Sequence, residues 1–271
     1  MLVSGGSKNV TRWEKGLPVR GTSGCPKTRY NSSIVRLALG DVDQAITYMQ
    51  DVYEYLADRA HARVQSSGSR VLIGIVGCPG SGKSTTSKAV ASALNARGVE
   101  TSVLPMDGYH YYRHELEQFA DPVEAFKRRG APFTFNARKF VDKIREVSVL
   151  STTPGVAPLK APSFDHALKD PKEDDIIILP SSQVILVEGN YLLLEEAPWS
   201  ELPDLLDESW FIACNLDEAM ARVQARQVND VGLSVAESQI RIDTNDRPNA
   251  ELVDQSRARA SLVVPSLPFK P

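Results

Sequence analysis

The run Gly77-Cys78-Pro79-Gly80-Ser81-Gly82-Lys83-Ser84 fits G-x-x-x-x-G-K-[ST] without a gap. Its residue types suit one task, the holding of phosphate. Gly77, Gly80 and Gly82 let backbone N–H groups turn inward around phosphate oxygens, and Pro79, Ser81 and Thr85 belong to the same cradle. The helix start that follows adds the positive end of its dipole. Lys83 supplies a point charge for β- and γ-phosphates, and the Ser84 hydroxyl is a hard oxygen ligand suited to Mg²⁺. ATP and Mg²⁺ are the implied cofactors. The bland alternative, a glycine-rich turn with a chance lysine, fits the flanking apolar run and helical pattern poorly.

Two carboxylates and two guanidiniums stand where they could complete such a site. Asp107 follows the apolar segment Thr101–Met106, and a carboxylate there can take the proton of a hydroxyl that attacks a phosphate. It can equally be a turn aspartate before Gly108. Glu188 ends the apolar run Val184–Val187, a placement from which it reaches Mg²⁺ directly or through water, or else caps a nearby helix. Arg222 and Arg226 are four apart on a predicted helix and share a face. They could clamp a phosphoryl group in transfer, or be a solvated face paired with Asp217 or Glu218. Arg241 and Arg247 are weaker candidates for that clamp, and Tyr109 and Arg129 are candidates for an acceptor pocket.

Strands alternating with helices must position these groups. Val71–Val76 is a continuous apolar run, as expected for a strand buried on both faces. Thr101–Met106, Ile176–Leu179, Val184–Val187, Trp210–Cys214 and Ser261–Val264 read as further strands. Helical patterns cover 41–64, 84–96, 123–129, 137–147, 217–228 and 235–243. The segment 154–162 reads as a loop or short edge strand, and Glu173-Asp174-Asp175 as a solvated loop. The expectation is an α/β fold with a mainly parallel sheet flanked by helices. Residues 41–271 form one domain, preceded by a basic extension over 1–40.

Composition narrows the function classes. The net charge of −3 gives no overall case for nucleic-acid binding. No apolar run approaches the roughly 20 residues that cross a bilayer. Residues 1–40 hold seven Lys/Arg against Glu14 alone, leaving −9 on the remainder. That basic segment suits a mitochondrial transit peptide or a simple tail, although Pro18, Gly21, Gly24 and Pro26 interrupt any long amphipathic helix. Three dispersed cysteines, Cys25, Cys78 and Cys214, argue against a disulfide framework or zinc site and favour a cytoplasmic protein. Neither a guanine-recognition Asn-Lys-x-Asp nor a transporter Leu-Ser-Gly-Gly-Gln signature is present.

Five segments come in one order: the phosphate loop, Leu104–His110, Arg128–Asn136, Ser163–His166 and Val184–Asn190. Together they resemble the phosphoribulokinase/uridine kinase/pantothenate kinase superfamily, especially its uridine-kinase-like members, over roughly residues 70–265. The resemblance implies a P-loop NTPase fold with a mobile helical lid carrying Arg222 and Arg226. It implies Asp107 as general base, and Asp165 and His166 in contact with the phosphate acceptor. The chain has Asp107-Gly-Tyr-His110 where uridine kinases show Asp-Ser-Phe-Tyr, and Phe164-Asp-His166 where they show Tyr-Asp-Phe. Asp107-Gly-Tyr and Arg129-Gly-Ala-Pro are closer to pantothenate kinase. The expected activity is ATP-dependent transfer to a hydroxyl of a nucleoside-, pantothenate- or sugar-like metabolite by a monomer or homodimer. A non-catalytic nucleotide-state sensor for a protein partner is the alternative, and an ATP-driven nucleic-acid enzyme a distant third.

Overall fold

A computed structural model describes residues 46–153, 155–165 and 167–270. The basic extension over 1–40 and His166 lie outside the described residues. Within them, Val71–Val76 (β1) is buried along its whole length. It lies at the middle of a five-stranded sheet of order β2-β5-β1-β6-β7, with β2 Thr101–Pro105, β5 Val184–Gly189, β6 Glu208–Ala213 and β7 Leu262–Pro265. Every pairing in this sheet is parallel.

Side-chain parity explains why the strand sequences are apolar throughout. Ile73, Ile75, Leu186, Trp210 and Ile212 pack on one face with the helices α1 (Met49–Ser67) and α2 (Lys83–Ala96). Leu72, Val76, Ile185, Val187 and Phe211 pack on the other. That face is covered by helix α5 (Ala137–Ser148), and by α6 (Leu216–Val231) and α8 (Arg247–Gln255). Each fully buried large side chain contributes about 1.5–3 kcal/mol. Helix α1 begins at Met49, the expected start at Asp41 being outside the described residues, and stops at Gly68, whose N–H bonds the Val64 carbonyl.

Three expectations are refined or corrected. The segment 154–162, read as a loop or short edge strand, enters strand β3 (Leu159–Asp165), which forms an antiparallel hairpin with β4 (Asp170–Ile178). The acids Glu173-Asp174-Asp175 therefore lie in a strand. Their charges are met by Lys139, Lys160 and Lys172, and Asp175 also accepts from Ser163 Oγ. Polar cross-strand and neighbouring pairs replace the apolar alternation that marks most strands. The third correction concerns the last helices. The helix expected over 235–243 is α7 (Val235–Arg241), followed by a π-helical turn over Ile242–Asp246 and then α8. Pro248 has no N–H to donate back into the preceding turn, which suits a widened ladder there. Two short helices, α3 (Arg113–Leu116) and α4 (Pro122–Lys127), bridge β2 to α5.

Candidate active site

The carboxyl ends of β1, β2 and β5 open into one cleft of about 1210 Å³. Ligands bind at this edge in open parallel sheets. The loop after β1 forms its floor. Gly80 and Gly82 have φ of +79° and +97°, conformations that side chains rarely adopt. A Cβ at Gly80 would lie 2.3 Å from the Ala219 carbonyl, so α6 seats directly on the loop. Pro79, Gly80, Ser81, Gly82, Lys83, Ser84 and Thr85 all line the cleft, while Gly77 does not. A Cβ added at Gly77 would meet Ser81 Oγ at 2.6 Å.

Several groups here are arranged for anionic oxygen. The Lys83 ammonium is buried and donates to the Cys78 carbonyl at 3.1 Å. Ser81 is buried, and its hydroxyl has no hydrogen-bond partner among the described residues. Both fit a loop built around phosphates. Cys78 itself is inert, because burial pushes its thiol up to about 11.

The two candidate ligands for a divalent cation also converge. Ser84 Oγ donates to Glu188 Oε1 at 2.6 Å, and Ser87 Oγ reaches Oε2 at 3.4 Å. Among the described residues no group of three or more His, Cys, Asp or Glu side chains could hold a metal ion. One hydroxyl and one carboxylate, completed by phosphate oxygens and water, is the donor set Mg²⁺ takes in nucleotide sites.

Asp107 is exposed and lines the same cleft, and its carboxylate makes no hydrogen bond or ion pair among the described residues. The turn that presents it is fixed from behind: a Cβ on Gly108 would lie 2.1 Å from the Pro162 carbonyl, so β3 presses against this turn. Arg222 and Arg226 project from α6 into the cleft. Arg222 reaches the Gly80 carbonyl at 3.4 Å and Glu218 at 3.8 Å, and Arg226 has no partner among the described residues. Arg247, in contrast, pairs with Asp217 at 2.8 Å and does not line the cleft.

The acceptor candidates divide. Arg129 lines the cleft, but Nη1 donates to the Lys169 carbonyl at 2.5 Å and Nη2 to the Tyr111 carbonyl and Asp170 Oδ1, both at 2.9 Å. Its guanidinium is a strut. Tyr109 turns into the core, 1 % exposed and edge-on to Phe140 at 4.9 Å. Burial drives its hydroxyl pKa far upward. Asp165 Oδ1 accepts from the N–H groups of Ala167 and Leu168, closing the β3–β4 turn, and does not line the cleft.

Sequence reasoning passed over several lining residues. His110, stacked on Phe135 at 3.9 Å and Phe164 at 4.9 Å, makes an aromatic wall. Arg113 and Lys169 stand at the same end. At the other end, Met49 and Tyr53 of α1 meet the C-terminal strap Ser266–Phe269. Met49 N–H donates to the Pro268 carbonyl at 3.0 Å, and the Tyr53 and Phe269 rings lie 6.4 Å apart. Of these, only His110, Phe135 and Phe164 lay in segments that carried a sequence signal.

The strand order and the loop that leaves its middle strand make this a P-loop kinase. A candidate uridine kinase of Schizosaccharomyces pombe, C227.14, is 38 % identical over 222 residues, covering 80 % of this chain and 92 % of that one. Among solved structures, a candidate fructose transport system kinase from Silicibacter sp. TM1040 is 30 % identical with a TM-score of 0.67, covering 78 % of this chain and 98 % of that one. YFH7 from Saccharomyces cerevisiae shares the fold with a TM-score of 0.70 at 20 % identity, covering 80 % and 99 %. The model of the family described as Methylmalonyl Co-A mutase-associated GTPase MeaB matches residues 42–112, the part that contains the phosphate loop. The chain belongs to the phosphoribulokinase/uridine kinase superfamily of P-loop kinases. No helix among the described residues is long and apolar enough to cross a membrane.

Proposed function

We propose that the protein transfers the γ-phosphoryl group of ATP to a hydroxyl of a small nucleoside-, pantothenate- or sugar-like metabolite. The observation that carries this reading is Asp107, an exposed carboxylate without a partner among the described residues, facing the cleft that Lys83 and Glu188 also line. A module that only senses nucleotide has no use for such a group.

In this reading the acceptor oxygen attacks the γ-phosphorus as its proton passes to the Asp107 carboxylate. The new P–O bond forms while the bond to the β–γ bridging oxygen breaks, and ADP leaves with that electron pair. Lys83, Arg222 and Arg226 balance the charge on the phosphate oxygens. Ser84 and Glu188 would hold Mg²⁺, whose chemistry is to neutralise the β- and γ-oxygens. Closure of α6 to α8 over the cleft would exclude water and suppress hydrolysis.

The test is ADP release from Mg·ATP with uridine, cytidine, nicotinamide riboside, pantothenate and simple sugars as acceptors. Acceptor-dependent release that is lost in Asp107→Asn supports transfer. Tight ATP binding with no stimulation by any acceptor favours the sensor.

A further inference from the structure

Beyond Asp107 several of the charged side chains around the cleft are matched in ion pairs. Glu173 is held by Lys139 at 2.7 Å and by the Tyr112 hydroxyl at 2.9 Å, and Asp175 by Lys172 at 2.5 Å. Asp170 is neutralised by Arg129 at 2.9 Å, and its Oδ1 also accepts the backbone N–H of Arg113 at 2.9 Å. Two cations that line the cleft are not matched in this way. The Arg113 guanidinium and the Lys169 ammonium line the cleft and make no hydrogen bond or ion pair among the described residues.

They are held in one corner by shared scaffolding. Arg129 bonds the Lys169 carbonyl and Asp170, and Asp170 bonds the start of α3 at Arg113. Lys169 also sits at φ +58°, a turn position that suits glycine or asparagine. A long cationic side chain is an unfavourable choice there on backbone grounds alone, and strained positions of this kind collect at ligand sites. The wall of His110, Phe135 and Phe164 lines the same cleft as this corner and Asp107.

We infer that the acceptor carries an anionic group, a carboxylate or a phosphate, bound by Arg113 and Lys169 while its hydroxyl faces Asp107. The inference rests on the phosphoryl-transfer reading and narrows its substrate class. The body of the acceptor lies against the aromatic wall. An anion brought beside Asp107 and the ATP phosphates is repelled by both, and two unpaired cations offset that repulsion where the anion sits. A neutral nucleoside makes no use of either cation.

Matched pairs of probes test this on the full chain, saturated with a non-hydrolysable ATP analogue and Mg²⁺. Calorimetry compares glycerate with glycerol, and ribose 5-phosphate with ribose, in wild type, Arg113→Ala and Lys169→Gly. Lys169→Gly removes the charge while easing the backbone, so its fold is secure. The expected result is binding of one anionic probe about tenfold or more tighter than its neutral twin, with that preference lost in both variants. The favoured pair tells carboxylate from phosphate. Equal binding of the twins, or a preference that survives in both variants, overturns the inference. ADP release is then read with the same four compounds. Turnover of a neutral compound with no anion preference sustains transfer and removes the anionic acceptor. A charge preference lost in the variants, with no turnover of any compound, sustains the anion site and removes the transfer reading.

Discussion

Ser84 Oγ lies 2.6 Å from Glu188 Oε1, so the first turn of α2 and the carboxyl end of β5 meet at the mouth of the phosphate loop. In the proposed reading the two groups act as one ligand pair for Mg²⁺. Ser84→Ala and Glu188→Gln should each raise the Mg²⁺ needed for half-maximal ADP release by about tenfold or more. The double variant should lose much less than the sum, because either single change already disables the pair. Additive losses in a Mg²⁺ titration would separate them.

Asp107→Asn keeps the shape of the turn and removes the proton acceptor. Turnover should fall by about 10²- to 10⁴-fold, the usual worth of a general base. ATP affinity by calorimetry should change by no more than about twofold, since the Asp107 carboxylate makes no hydrogen bond or ion pair with the loop among the described residues. Wild-type turnover would take the base assignment away.

Gly108→Ala separates the acceptor from the nucleotide. The added methyl would stand 2.1 Å from the backbone carbonyl of Pro162, and backbone cannot step aside as a flexible side chain can. The hairpin must shift away from the turn. The expected outcome is a rise in acceptor KM of about tenfold with ATP KM little changed. Equal losses in both would mean that the hairpin does not shape the acceptor end.

Glu201 gives a pH dependence of stability. Arg138, and with it Arg145, hold its carboxyl down from 4.5 to about 2. The folded state thus favours the ionised form, so the contribution is fully present above 4.5 and is lost as pH falls toward 2. Glu201→Gln should lower Tm at neutral pH, and the gap to wild type should close on acidification through that window. Added salt should shrink the gap too, as the carboxylate is solvent-exposed. A gap that persists at the acid end would refute the ion-pair origin.

The central strands and the phosphate loop were legible because their physics is local. A run such as Val71–Val76 declares a strand buried on both faces, and β1 has those bounds. Gly80 and Gly82 declare a backbone that no side chain would permit. The β3–β4 hairpin was legible only in part, at Ile176–Leu179 and in the edge strand allowed at 154–162; its acidic stretch hid the rest, since Glu173 is satisfied by Lys139, distant in sequence. Tyr109 misled for a related reason. Its neighbour Asp107 faces the cleft, but the short helical turn between them rotates the ring into the core. Lys169 had no local signature at all, and only the folded turn brings its charge beside Arg113.

The strap at Ser266–Phe269 bears on how the protein is made. The phosphate loop is complete once α2 has been synthesised, yet another wall of the same cleft needs Met49 and Tyr53 to meet residues more than two hundred positions later. A growing chain therefore carries its phosphate loop for most of its synthesis before that wall of the cleft exists. A cleft wall that includes residues 266–269 exists only after that segment has left the ribosome. Ligand-dependent protection from proteolysis that relies on this wall should appear only after that point.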